Sequence, residues 1–154
     1  MKFHRLSAKF YAKFNYCEEI LTKNKRPYYV LLLELDGMTY AIPLRSHIKH
    51  PYCYISDNSN GQNKGLDYSK SIVIDNLAEY IDPTPVTIRQ HEYNVLKKQE
   101  YNIKKQFSSY VALYKKEIRR RKKNQSLPVS LLCCYSTLKY FHKELGLDEK
   151  IDSV

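Results

Sequence analysis

The dipeptide Asp36-Gly37 constrains this chain most, because it stands between two runs of β-forming residues. Tyr28 to Leu35 (Y-Y-V-L-L-L-E-L) is dense in aromatic and branched side chains, and Met38 to Leu44 supplies a partner of similar length. Asp-Gly favours a two-residue hairpin turn, whose central residues both take positive φ. The two runs are therefore expected to pair antiparallel, without the helical crossover that parallel pairing needs.

Shorter signals surround this hairpin. Lys2 to Arg5 reads as a first strand, and Ser7 as the N-cap of a helix running through Phe10, Phe14, Cys17 and Ile20, a pattern that Lys23 to Arg26 breaks. Tyr52 to Ile55 is a strand candidate, Asp57 to Gly65 a polar loop, and Ser69 to Ile74 and Ala78 to Ile81 further strands. Asp82-Pro83-Thr84-Pro85 closes this half, since two prolines deny donors to any continuing ladder.

Beyond Arg89 the period becomes helical. One helix is expected over Gln90 to Lys98. A second starts near Glu100 and sets Ile103, Phe107, Tyr110, Val111, Tyr114 and Ile118 within an arc of about 100°. Lys104, Lys105, Lys115, Lys116, Arg119 and Arg120 fall on the side opposite that arc. A third helix is expected after Ser126, with Pro128 near its first turn and a stop at Leu145-Gly146. Strands first and helices afterwards predict an α+β fold, a single domain over residues 1–154 with a mainly antiparallel sheet.

A hydrophobic fraction of 43 % with only four glycines and six prolines argues against disorder. No run reaches the roughly 20 apolar residues of a membrane helix, and the start, MKFHRLSAKFYAKF, lacks the apolar centre of a secretory signal, so a cytoplasmic location is expected. Cys17, Cys53, Cys133 and Cys134 show no C-x-x-C or C-x-x-H spacing, which points to buried thiols and to neither a metal nor a cofactor.

The net charge of +10 is concentrated. Residues 1 to 96 carry 12 basic and 10 acidic side chains, residues 97 to 123 carry 11 and 2, and residues 124 to 154 carry 3 and 4. One segment thus supplies nearly all of the excess, and its field attracts polyanions, nucleic acid first and an acidic membrane second. A solvated charged face is the plainer reading, weakened because repulsion among these cations goes uncompensated without an anion.

The hairpin's second strand ends in Tyr40-Ala41-Ile42-Pro43-Leu44-Arg45-Ser46-His47-Ile48-Lys49-His50, which holds two of the five histidines. Cutting RNA without a metal requires removing the 2′-hydroxyl proton, stabilising the non-bridging oxygens and protonating the leaving 5′-oxygen. His47 or His50 fits base or acid, Arg45 and Lys49 fit phosphate clamps, and Ser46 fits a hydrogen-bond donor. If the segment stayed extended, Arg45, His47 and Lys49 would point one way and Ser46 and His50 the other, so all five act together only if the loop turns. The plainer reading is a polar loop whose histidines make ordinary backbone hydrogen bonds. Lys70 and His91 are further candidates for the site, while His4 and His142 have no supporting neighbours in sequence.

Over most of its length the chain resembles the type III toxin-antitoxin endoribonucleases of the ToxN and AbiQ superfamily, and within it the TenpN group most. V-L-L-L-E-L-D-G-M-T-Y-A-I-P-L-R-S at 30 to 46 is similar to that family's strand, turn and A-P-L-[ST]-S strand end. G-L-D-Y-S-K-S-I-V-I at 65 to 74 is similar to its G-x-L/I-x-x-x-x-M-I-P strand. The resemblance implies a compact, strongly twisted antiparallel sheet flanked by helices, as in the Kid and MazF toxins. It implies metal-free RNA cleavage leaving 2′,3′-cyclic phosphate and 5′-hydroxyl ends. It implies as partner an antitoxin RNA of tandem repeats, which the toxin cuts into pseudoknotted units and which closes it into an inhibited complex. Growth arrest and abortive phage defence would follow from the toxin's release. Ser46 matches the family serine, and Arg45 stands where that motif has threonine or serine. The family continues P-K; here His47-Ile48-Lys49 follows, so Lys49 matches the lysine only across one inserted residue and His47 is a proton carrier the ToxN pattern lacks.

Three readings follow. An endoribonuclease toxin would use Ser46 and His47 at its centre, Arg45, Lys49 and Lys70 on phosphate, and the 97 to 123 face for antitoxin RNA. A non-catalytic RNA-binding module would use the same charges with incidental histidines. A DNA-binding protein ranks last, since no helix-turn-helix with a short glycine turn is evident.

Overall fold

In the computed structural model, which describes residues 1–15, 17 and 28–147, six strands form one antiparallel sheet. Strand β1 (Phe3–Arg5) pairs with β2 (Tyr29–Leu35), and β2 pairs with β3 (Met38–Arg45) in a register running from Leu35↔Met38 to Val30↔Pro43. The turn between them is the expected one, with Asp36 and Gly37 at φ 52° and 77°. On its other side β3 exchanges partners. Its first half, Thr39 to Ala41, meets the last strand, and its end, Leu44 and Arg45, meets β5 (Lys64–Asp67), which in turn pairs with β4 (Cys53–Asp57). Ile42 and Pro43 fall in the gap between the two partners, which is why an interior strand tolerates a proline here.

At Gly65 the backbone of β4 comes so close that an added Cβ would lie 1.8 Å from the Tyr54 carbonyl oxygen, so glycine alone fits. The polar loop ends at Asn63, sooner than expected, because Lys64 and Gly65 belong to β5. The strand expected over 69–74 is split: Asp67 caps a 3-10 turn at Tyr68–Lys70, and β6 (Ile72–Ile74) follows.

Helix α1 (Ala8–Lys13) begins as expected, with Ser7 Oγ accepting from the Phe10 N–H, but ends before Phe14; the expected extension to Ile20 and the break at 23–26 lie outside the described residues. The strand expected at 78–81 is a single helical turn, α2 (Leu77–Tyr80), because Asn76 caps it by accepting from the Glu79 N–H; Ile81 alone bridges to Leu6.

Helices α3 (Gln90–Lys98) and α4 (Glu100–Lys123) lie where the period placed them. Ile103, Phe107, Tyr110, Val111 and Tyr114 of α4 are buried, and Phe107 meets the rings of Tyr40 and Tyr68 at 5.0 and 5.6 Å. The third long helix does not form. Ser130 caps a short α5 (Leu131–Tyr135), and Ser136 is extended, its Oγ taking up the Leu138 N–H and lying 2.7 Å from the Tyr110 hydroxyl. Thr137 Oγ1 donates to the carbonyls of Ser69 and Ser71, so a second 3-10 turn (Thr137–Tyr140) is tied to the β5–β6 link. Gly146 then turns the chain at φ 70°. The result is an α+β fold, as expected, with helices packed on an antiparallel sheet. Among the described residues, no helix is long and apolar enough to cross a membrane.

Candidate active site

Where β3, β4 and β5 end together, one carboxylate organises the polar groups. Asp67 has no exposed surface. Arg45 Nη1 donates to its Oδ2 at 2.6 Å; Ser69 donates to Oδ1 from both Oγ, at 2.6 Å, and the backbone N–H, at 3.0 Å. His50 Nε2 lies 3.1 Å from the same Oδ1 and 3.2 Å from Ser69 Oγ. A carboxylate buried alone would cost several kcal/mol, and these donors offset that cost.

Local structure delivers each partner. Arg45 sits opposite Gly65 in the β3–β5 register, two residues short of Asp67, and Ser69 lies in the 3-10 turn that Asp67 caps. His50 arrives because the loop after β3 turns sharply at His47, which takes a left-handed φ of 59°. Beyond it Ile48 is buried and clamped, its N–H donating to the Asn63 carbonyl while Asn63 Nδ2 donates back to the Ile48 carbonyl. The Tyr52 N–H donates to His50 Nδ1 at 3.1 Å. That bond places the imidazole proton on Nε2, facing Asp67 and Ser69. Both ring nitrogens are thereby engaged.

The five catalytic candidates thus divide. Arg45 and His50 converge on Asp67, half-buried, while Ser46, His47 and Lys49 are exposed on the turn outside it. Lys70 reaches the Tyr135 carbonyl at 3.1 Å. The helical cations do not share one face. Lys105 borders a groove toward β4, whereas Lys104 borders a hollow with Glu34 and Glu100 beside β2. At about 100° per residue, Lys116 and Arg120 lie within about 20° and 60° of Lys105, Lys115 lies about 20° from Lys104, and Arg119 falls between the two flanks.

Asp67 and Ser69 are the site members that periodicity and charge missed. The available signal was local: an aspartate two residues before a serine is an Asx-turn pattern. Tyr52 continues the cluster outward, stacked on His50 at 6.1 Å between ring centres and 5.8 Å from Tyr110. Burial pushes the phenols of Tyr68 and Tyr110 up from their ordinary value, and burial with the nearby Asp67 charge does the same to the Cys53 thiol. Cys53, Cys133 and Cys134 are free thiols. Among the described residues no group of three His, Cys, Asp or Glu side chains is placed to hold a metal ion.

A cavity of about 540 Å³ lies elsewhere, between β1 and residues 83–93. His4 and Lys2 border it, but the side chains of Arg45, Ser69 and His50 converge on Asp67, so we place the candidate chemistry there. In comparison with known proteins, no family model, no curated protein and no solved structure matches this chain.

Proposed function

We propose that this chain is a metal-independent endoribonuclease, the toxin of a type III toxin-antitoxin system, processing and inhibited by a repeat RNA. The observation that carries the reading is the buried Asp67, which holds Arg45 at the end of β3, next in sequence to the exposed Ser46 and His47. His47 is the proton carrier in this scheme, because both nitrogens of His50 are already bonded. It takes the 2′-hydroxyl proton as that oxygen attacks phosphorus; the bond to the 5′-oxygen breaks, and that oxygen takes up a proton from water. A 2′,3′-cyclic phosphate and a 5′-hydroxyl result. The remaining N–H donors of Arg45, the Ser46 hydroxyl and Lys49 meet the non-bridging oxygens. His50 is a positioning residue that holds Asp67. The basic flank of α4 holds antitoxin RNA. The resemblance of residues 30 to 46 and 65 to 74 to such toxins supports the same reading.

The second reading is a non-catalytic RNA-binding module. It is favoured by the engagement of both His50 nitrogens and of the Arg45–Asp67 pair, which leaves the histidine in a structural role.

Incubating purified protein with total bacterial RNA in excess EDTA, and mapping the new ends, separates the two. We expect cyclic-phosphate and 5′-hydroxyl ends with the wild type and none with Ser46→Ala or His47→Gly. Glycine at 47 keeps the left-handed turn without strain, so its loss of activity reports the side chain. RNA affinity that persists in both variants fits groups acting in the transition state. A wild type that binds RNA and never cuts it overturns the nuclease reading in favour of the module.

A further inference from the structure

A groove of about 420 Å³ opens between β4 and α4, directly beside the Asp67 cluster. Tyr52 forms the shared wall: its backbone N–H caps His50, and its ring faces both His50 and Tyr110. The deep hydroxyls of this groove are taken. That of Tyr110 lies 2.7 Å from Ser136 Oγ, and that of Tyr68 donates to Gln106 Oε1 at 2.9 Å. The aromatic wall therefore offers ring surface, and hydrogen bonding falls to the exposed Gln106 at the mouth. Because its Oε1 is turned toward Tyr68, the amide presents its N–H groups outward beside the oxygen's second lone pair.

Resting on the RNA reading above, we propose that this groove is the subsite for one unpaired nucleobase of the bound strand. Three features select that occupant. The space exceeds a single base and is lined by Tyr52 and by the partly exposed Leu113, so a flat ring has surfaces to lie against. Gln106 offers a donor beside an acceptor, the pattern that meets a base edge. Lys105 stands on the rim, and Lys116 and Arg120 continue along the same flank of α4, where the neighbouring phosphates would run. A nucleotide held here brings its sugar-phosphate toward Arg45 and the His47 turn. The groove is thus a determinant of where along a strand the site engages.

The test reads binding, independently of cleavage. Amide chemical shifts of the full chain are followed by NMR during titration with AMP, GMP, CMP and UMP, and with ribose 5-phosphate as a probe lacking the base. We expect at least one nucleotide to move the signals of Tyr52, Gln106 and Leu113, and ribose 5-phosphate to leave them in place. Ser109→Trp, which fills the groove from its rim, should abolish those shifts, and Gln106→Leu should weaken binding by up to about tenfold, one hydrogen bond's worth. Identical shifts with ribose 5-phosphate, shifts confined to another surface, or no shift with any nucleotide at millimolar concentration would overturn the subsite. A wild type that cuts RNA yet shows no base-dependent shift defeats the subsite alone. One that shows the shifts yet never cuts keeps the subsite and defeats the nuclease.

Discussion

Asp67 shows how one residue decides the local arrangement. Its carboxylate holds Arg45 on one oxygen and Ser69 and His50 on the other, so an amide in its place would present N–H groups to donors. We expect Asp67→Asn to destabilise the protein by about 3 kcal/mol, the low end for breaking a buried pair, because Arg45 keeps 26 % of its side-chain surface in water. A urea denaturation midpoint equal to the wild type's would refute this account. At this scale sequence reading found Arg45 and His50 but not the partner that unites them. Arg45 and Asp67 are 22 residues apart, and only the β3–β5 register joins them. Nor could alternation along an extended chain anticipate His47, whose positive φ turns His50 back toward the sheet.

Helix α4 carries the polyanion argument at the scale of an element. Its basic side chains divide into a groove flank, Lys105, Lys116 and Arg120, and a far flank, Lys104 and Lys115, with Arg119 between them. We expect Ala at the three groove-flank positions to reduce the slope of log affinity for single-stranded RNA against log salt by about 2, near 0.7 for each lost phosphate contact. Ala at Lys104 and Lys115 should change the slope much less; equal losses per residue removed from the two flanks, measured by fluorescence anisotropy across a salt series, would discard the division. Elements were legible where a local signal and the packing agreed. The Asp36-Gly37 hairpin and the α4 stripe from Ile103 to Tyr114 are of this kind. They were illegible where a capping side chain overrode the pattern: Asn76 turned an expected strand into α2, and Ser130 and Ser136 cut an expected helix to five residues. Ser136 and Thr137 act through distant partners, Tyr110 and the Ser69 and Ser71 carbonyls, which no reading of neighbours in sequence supplies.

At the scale of the whole molecule, several phenols lie in the described interior, and they couple its stability to alkaline pH. Tyr40, Tyr68, Tyr110 and Tyr114 are all buried, and burial pushes the hydroxyl of each above its ordinary value, with Tyr40 moving from 10.0 to about 12. Below pH 10 both folded and unfolded chains keep these protons, so the contribution to stability is fully present. Above it the unfolded chain releases them first and binds fewer protons, and stability falls as pH rises toward the folded values. Tyr40 alone accounts for on the order of 3 kcal/mol over that interval. With three further phenols moving the same way, the loss reaches the scale of a domain's entire net stability, roughly 5–15 kcal/mol. We therefore expect one cooperative alkaline transition between pH 10 and 12, in which the tyrosinate absorption of the buried rings appears together with the loss of helical circular dichroism. Tyr40→Phe should retain more of its stability through that interval, since the ring still packs on Phe107 while the ionisable group is gone. Buried rings that ionise near pH 10 while the helical signal stays intact would mean that the phenol core is open to water, and the linkage argument would fail.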